Sequence, residues 1–542
     1  MDRRVFLGRA LRSGAALIVT AIAAACRSQL PGPTSTAVQS AATPSSAVHS
    51  GSIPPTAPPA PSPSPSSSPR RPSAEARNRI VVENRRPGAR GWELPIGDFA
   101  AIEAFTDAAS VAPGDRLSLH ASGSGPFDVE WYRLGWYGGA GGRRVRRDVA
   151  VAAHPQPRLP PDLKTGLVEA KWPVALQIEI GADWPSGQYV ALTRPRTGQP
   201  GLVPFLVRAP TGLEPAPVLF VSATATWQAY NAWGGKSLYD TQSRWVTKAT
   251  GTKRAAIVGY DRPYLIDRGA GYLRRHEIQF LRWQERTGRA VAYCADIDLE
   301  LHPEVADGRR LIVFAGHHEY WSRPMRDRIE RAVAEGTNVA FLSGNEVYWS
   351  IRLGDGGTRP GRRITCYKSA SRDPLATSQP SLATCRWREP PLNDPEATLV
   401  GQMYGHILAR PADWVVTNAT HWLYEGTGVR TGDRFTNLVG GEYDTFFPAY
   451  APAGTEIIAR GPVQAVVRGH PLRVDPDGPA VHTATVYTAD SGATVVSAGT
   501  FQWSWALDGY GLREYRGIVT PRDARVARIT RNLFDRLGDG PA

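Results

Sequence analysis

Leu311-Ile-Val-Phe-Ala-Gly-His-His-Glu-Tyr-Trp321 is the stretch on which the fold is read. Five apolar residues of strand type stop at Gly316, and two imidazoles and a carboxylate follow at once. In an open α/β sheet, ligands bind just beyond the carboxyl ends of the strands. A buried strand that delivers His317, His318 and Glu319 to that edge is therefore a candidate reaction centre.

The neighbouring sequence supplies the rest of such a sheet. Val218-Leu-Phe-Val-Ser222, Ala290 to Cys294 and Val339-Ala-Phe-Leu342 are further short apolar runs, and a last one lies near Thr494 to Ala498. Between them, Tyr272 to Arg286 has helical spacing. Ser322 is placed to cap a helix with Pro324 in its first turn and Met325, Ile329 and Val333 on one face, which Gly336 closes. A final helix is expected near Arg525 to Leu537. Strands alternating with helices predict parallel pairing and a doubly wound α/β sheet. Upstream, Arg116–His120, Phe127–Arg133 and Val174–Ile180 alternate in polarity between Gly, Pro and Asp turns, which predicts an all-β sandwich. Four segments follow: a leader over 1–26, a tether over 27–77, a β-sandwich over 78–212 and an α/β domain over 213–542.

At 542 residues with 42% apolar residues and 16 tryptophans, the chain is long enough for two packed cores. The formal charge of +13 is concentrated at one end, since residues 1–77 hold eight arginines against Asp2 and Glu75. The Arg143-Arg-Val-Arg-Arg147 cluster reads as solvated strand ends. No interleaved aromatic and basic pattern argues for nucleic acid. Asp2-Arg-Arg-Val-Phe-Leu7 has the paired arginines of a twin-arginine leader, and Ala15 to Ala25 is too short to span a bilayer and reads as its apolar region. Ala23-Ala-Ala-Cys26 resembles a lipoprotein cleavage box with Cys26 lipidated, the alternative being ordinary Ala-x-Ala cleavage. From Ser28 to Pro69 there is no Asp, Glu, Lys or Arg, and 11 of 42 positions are proline, the composition of an extended tether. The expected location is extracytoplasmic, at the membrane through a lipid anchor. Cys294 reads as a buried thiol. Cys366 and Cys385 flank a polar loop, and in an exported protein a disulfide between them is expected.

The strand ends carry the chemistry. Beyond Val218–Ser222 comes Thr226-Trp-Gln-Ala-Tyr-Asn-Ala-Trp-Gly-Gly-Lys-Ser-Leu-Tyr239, and beyond Val339–Leu342 come Gly344 and Asn345. Singly, each has a bland reading as packing or a satisfied core histidine. Together they gather carboxylate, imidazole and phenol groups on one edge, suited to a hard or borderline metal ion. Gly235-Lys-Ser237 is no phosphate loop, because Tyr230 stands where a glycine is needed. His318-Glu319 is no zincin helix, because Ser322 stands where the second histidine belongs. No Gly-x-Ser-x-Gly elbow exists. The aromatic run Trp131-Tyr-Arg-Leu-Gly-Trp-Tyr-Gly-Gly139 reads as a packed hairpin with a tight turn, the alternative being a sugar-stacking surface.

The strings Tyr132-Arg-Leu-Gly-Trp-Tyr-Gly-Gly139, Thr226-Trp-Gln-Ala-Tyr230, Gly316-His-His-Glu-Tyr-Trp-Ser322, Cys366-Tyr-Lys368, Arg386-Trp-Arg388 and Gly441-Glu-Tyr-Asp444 resemble the large (β) subunit of N,N-dimethylformamidase and its relatives. The resemblance runs from about residue 80 to the C-terminus. It implies a jelly-roll-like β domain followed by a domain of class I glutamine amidotransferase-like fold. It also implies a mononuclear Fe(III) held by Tyr230, Tyr239 and Glu319, with His317, Asn345 and Glu442 in catalysis; His318 receives no role. The expected function is an exported, membrane-tethered, iron-dependent amidohydrolase cleaving the C–N bond of a small amide, acting with a small subunit or as a homo-oligomer. The family enzyme is cytoplasmic, so the leader and tether put dimethylformamide itself in question as the substrate. Two other readings are a non-catalytic surface protein that binds glycan or envelope through its β domain, and a zinc hydrolase using His317, His318 and Glu319.

Overall fold

The computed structural model describes residues 78–97, 99–209, 216–239, 253–356, 359–466, 480–511 and 513–538. The leader, Cys26 and the tether fall on residues 1–77, outside the described residues. Among those described, no helix is long and apolar enough to cross a membrane.

Two sheets come first. Glu103–Thr106, Arg116–Ser122 and Val174–Glu179 form an antiparallel three-stranded sheet. Ser110–Val111, Gly201–Val207, Gly187–Pro195, Phe127–Leu134 and Gly142–Val151 lie side by side in a five-stranded one. Side chains of a strand alternate between faces, and the five-stranded sheet uses both. Val203, Phe205 and Val207 share a core with Leu117 and Leu119 of the smaller sheet. Leu202 and Leu206 face the other way, into the core that contains Val218 and Phe220. This double burial is why Gly201–Val207 is buried along its whole length and lacks a polar face.

The central sheet has seven strands in the order Val291–Ala295, Val218–Ser222, Leu311–Ala315, Asn338–Leu342, Thr494–Ser497, Val481–Thr488 and Glu456–Pro462. The first five run parallel and the last two antiparallel. Ile312 and Phe314 pack on one face with Met325, Ile329 and Val333 of the helix Arg323–Ala334. Leu311, Val313 and Ala315 pack on the other with Phe280 and Leu281 of Ile278–Arg286 and Ile529 and Phe534 of Ala524–Leu537. A parallel sheet covered on both sides needs apolar residues at every position, and Leu311–Ala315 has them. Ser322 caps its helix as expected, its Oγ accepting from the Met325 N–H at 3.2 Å. Gly336, at φ +95, takes the left-handed turn that ends it.

Three expectations need comment. The helix expected over Tyr272–Arg286 is not uniform: it opens with a π-turn, Leu273–Glu277, before the α-helix Ile278–Arg286. The wider turn lets Glu277 reach back to Ser222, Ala223 and Trp227. The Cys366–Cys385 disulfide is not formed. Both are buried free thiols, Cys366 Sγ facing the Ser350 carbonyl at 3.7 Å and Cys385 Sγ the Pro390 carbonyl at 3.8 Å. The aromatic run is a packed hairpin strand and turn: Trp131, Tyr132 and Tyr137 are buried and offer no face to a sugar. The adjoining arginines each meet a carboxylate, Arg143 with Glu83, Arg144 with Glu130, Arg146 with Asp148 and Arg147 with Asp128.

The five-stranded sheet and the α/β part are joined by a fully buried ion pair. Arg133 donates through Nη1 and Nη2 to both oxygens of Glu285, at 2.9 and 2.6 Å, and neither side chain is exposed. Removing one partner of a buried pair leaves the other charge without compensation. Arg133→Met is expected to lower unfolding free energy by about 3–5 kcal/mol in denaturant titration. Arg133→Met combined with Glu285→Leu should lose less than that, since no charge is then stranded.

Candidate metal centre

Because the five strands are parallel, the segments after Ser222, Ala315, Leu342 and Ser497 emerge on one edge. Thr224–Tyr230 is a short helix held at its start by two buried carboxylates. Asp296 accepts from Thr224 Oγ1 at 2.6 Å and from the Ala225 N–H. Glu277 accepts from Ser222 Oγ at 2.7 Å, the Ala223 N–H at 3.1 Å and Trp227 Nε1 at 3.0 Å. Gly316 sits at φ +123, and a side chain there would lie 2.8 Å from Cγ of Glu277, so only glycine fits the turn out of the strand. Thr226 Oγ1 then accepts the Glu319 N–H at 3.1 Å, tying the two loops together.

The result is a convergence of phenols on one carboxylate. Tyr230 OH donates to Glu319 Oε2 at 2.7 Å, and Tyr239 OH donates to Glu319 Oε1 at 2.5 Å. The two rings stack with centroids 4.3 Å apart. Trp349 Nε1 also donates to Oε1, at 3.0 Å, and Tyr320 OH donates to Tyr239 OH at 2.5 Å. Lys368 Nζ lies 3.1 Å from the centre of the Tyr239 ring and 4.6 Å from that of Trp349. On the Tyr230 side, His317 Nε2 is 3.2 Å from Glu319 Oε2. Neither nitrogen of His317 completes a well-directed hydrogen bond, and the ring packs against Phe501 at 4.1 Å.

Asn345 and Glu442 meet beside this group. Asn345 Nδ2 donates to Glu442 Oε2 at 2.6 Å, while Asn345 Oδ1 is buried without a partner. Asn345 adopts φ +54, fixed by its N–H donating to Asp444 at 2.8 Å. His318 takes no part. Its ring meets Phe314 edge-on at 5.0 Å, on the opposite face of the sheet, and burial pushes its pKa down to about 3. The zinc reading thus loses its second imidazole. Among the described residues no three His, Cys, Asp or Glu side chains gather to hold a metal ion; the donors that gather are two phenols and Glu319.

Electrostatics at the site are uneven. Burial, then the Glu319 charge, holds the hydroxyls of Tyr230 and Tyr239 well above the ordinary phenol value. Burial opposes ionisation of Glu319 too, but its neighbours His317, Lys368 and Tyr239 outweigh it and hold the carboxyl low. Glu442 is pushed well up by burial and then by Glu319. Without a cation, then, burial favours the neutral forms of Tyr230, Tyr239 and Glu442. The donor chemistry fits a trivalent ion, because two phenolates and a carboxylate are hard oxygen donors with three negative charges.

Tyr320, Trp349, Lys368, Phe501 and Tyr272 were not singled out from sequence as site residues. Phe501 follows the strand Thr494–Ser497 and obeys the same edge rule as Asn345. Tyr320 and Lys368 stand inside distinctive strings. Trp349, 30 positions from its partner, carries no local signal.

A family model described as N,N-dimethylformamidase beta subunit-like, C-terminal, matches residues 128–517. No curated protein matches the chain. A similar solved structure is the crystal structure of the N-terminal Ig1-2 module of Drosophila Receptor Protein Tyrosine Phosphatase DLAR, at 13% identity and a TM-score of 0.13. The match spans 22% of this chain and 60% of that one, and a score so low carries no argument.

Glu277 gives the scaffold of the site a pH signature. Burial raises its pKa from 4.5 to about 8. A carboxyl that binds its proton more tightly in the folded state stabilises the fold below pH 4.5, and that contribution is lost as pH rises through about 8. Glu277→Gln, permanently neutral, is expected to flatten the fall in melting temperature across this window; an unchanged slope would show that Glu277 is ionised throughout.

Proposed function

The chain belongs to the N,N-dimethylformamidase beta subunit-like family, and from that premise we propose that it is an iron-dependent amidohydrolase cleaving the C–N bond of a small amide. The single observation that carries the iron reading is the meeting of Tyr230 and Tyr239 on the carboxylate of Glu319. On this reading, the two-sided parallel sheet belongs to a class I glutamine amidotransferase-like fold, preceded by a jelly-roll-like sandwich. The sequence features of residues 1–77 support export and a membrane tether, which favour a small exogenous or envelope amide as substrate.

Tyr230, Tyr239 and Glu319 would hold the ferric ion. Bound there, it supplies Lewis acidity that polarises an amide carbonyl and acidifies water. The remaining work falls to the protein. His317, buried beside Glu319, would in its neutral form take a proton from the attacking water. Asn345 is held by its backbone and by Glu442, so its amide is fixed in place to orient the carbonyl oxygen as negative charge develops. Glu442, whose proton is favoured by burial and by the Glu319 charge, would give that proton to the departing nitrogen. Phe501 and Tyr272, 4.1 Å from His317 and 5.5 Å from Tyr230, wall the site with aromatic carbon and keep bulk water from it. Water and amide thereby become carboxylic acid and amine, with no redox change.

The purified protein is expected to hold about one iron per chain and to show a visible phenolate-to-iron charge-transfer band. Glu319→Ala should lose both, and full iron content in that variant would remove Glu319 from the ligand set. Against a panel of small formamides and acetamides, Asn345→Ala should lower kcat roughly 10²–10³-fold and His317→Ala roughly 10²–10⁴-fold while retaining iron. A colourless protein with no amidase activity would favour the non-catalytic surface-binding reading.

A further inference from the structure

The two phenols at the centre have different surroundings. Among the described residues, Tyr230 OH has one hydrogen-bond partner, Glu319 Oε2. Tyr239 OH has two, since it donates to Glu319 Oε1 and accepts from Tyr320 OH at 2.5 Å. The Tyr320 ring is fully buried and stands nearly perpendicular to both ligand rings, at 86° to Tyr230 and 87° to Tyr239, with centroids 6.5 and 6.3 Å away. Its orientation is fixed by the chain: Tyr320 begins the short strand Tyr320–Ser322, which pairs in parallel register with Trp349–Gly354. The same pairing sets Trp349 opposite Tyr320 and lets its indole donate to Glu319 Oε1. One β-ladder therefore positions two hydrogen-bond donors, one for Tyr239 and one for its carboxylate partner.

We infer that Tyr320 is a positioning residue for the proposed metal centre: its hydroxyl donates to the Tyr239 oxygen and makes Tyr239 the weaker electron donor of the two phenolate ligands. This rests on the iron reading above. The physical reason is that a hydrogen bond to an anionic oxygen is short and strong and withdraws electron density from it. Among the described residues Tyr230 meets no such donor and remains the more electron-rich ligand. Groups that hold metal ligands from behind orient them and tune the metal, and their removal typically lowers metal affinity. Tyr320 touches neither substrate nor reacting atoms in this scheme.

The test uses the iron-loaded full-length protein. Tyr320→Phe keeps the ring and removes only the donor. The charge-transfer band should move to longer wavelength, because an electron-richer Tyr239 gives up charge more easily, and iron affinity should fall roughly 10- to 100-fold. Site-specific 3-fluorotyrosine at position 320, a stronger donor, should move the band to shorter wavelength. This second variant preserves the hydroxyl and covers the case in which Tyr320→Phe fails to fold. A folded Tyr320→Phe protein with the wild-type band and iron affinity would overturn the inference, as would shifts of the same sign in both variants. A wild-type protein with no iron and no band would overturn the iron reading itself, and this inference with it, which separates the two failures.

Discussion

A carboxylate buried to 2% exposure must be compensated or it will not stay charged, and in this protein that carboxylate is Glu319. Four groups meet it: two phenols, an indole and an imidazole. The imidazole comes from the same turn and the other three from elsewhere in the chain, so the position of Glu319 depends on the helix Thr224–Tyr230, the loop to Tyr239 and the ladder between Tyr320–Ser322 and Trp349–Gly354 at once. The dependence runs both ways. Backbone bonds from Tyr348 and Trp349 to the Glu319 carbonyl, and the Thr226 hydroxyl on the Glu319 N–H, tie these segments together.

The sheet that carries this edge is itself enclosed. Helices cover both of its faces, and one of its cores continues into the five-stranded sheet of the N-terminal part. The two parts therefore share apolar surface as well as the buried Arg133–Glu285 pair. Tyr137 and Tyr293 add hydroxyls to that pair, Tyr137 accepting from Arg133 at 3.1 Å and Tyr293 donating to Glu285 at 2.7 Å. A buried charge pair adds little stability over an apolar contact, but it tolerates only one relative placement of its partners. Here the partners belong to the two parts of the molecule, so the pair fixes their register.

Periodicity made the sheet legible. Leu311–Ala315 and Val218–Ser222 form the strands that their apolar runs mark, and Ser322 and Gly336 bound their helix, because burial on both faces and helix capping are local rules. The π-turn at Leu273–Glu277 was not legible, since its cause is the distant partners of Glu277 at Ser222, Ala223 and Trp227. The expected disulfide failed for a related reason: spacing around a polar loop says nothing about where two thiols point, and both point at carbonyls. At the site, the residues just past strand ends were readable from the edge rule. Trp349 was not, because its role depends on a parallel ladder between two three- to six-residue strands that no local pattern announces.

The charge balance of the site bears on what it is built to hold. Tyr230, Tyr239 and Glu442 are all pushed toward their neutral forms, and burial is the first cause in each case, with the Glu319 charge next. Four acidic groups thus crowd a volume where water cannot spread their charge, and for three of them the neutral form is favoured. A cation would have to displace these protons to bind, since ionising the phenols becomes favourable only with positive charge among them. Lys368, over the Tyr239 ring, supplies one positive charge at the margin of the group. It lies over the face of that ring, and its charge favours the ionised form of Glu319.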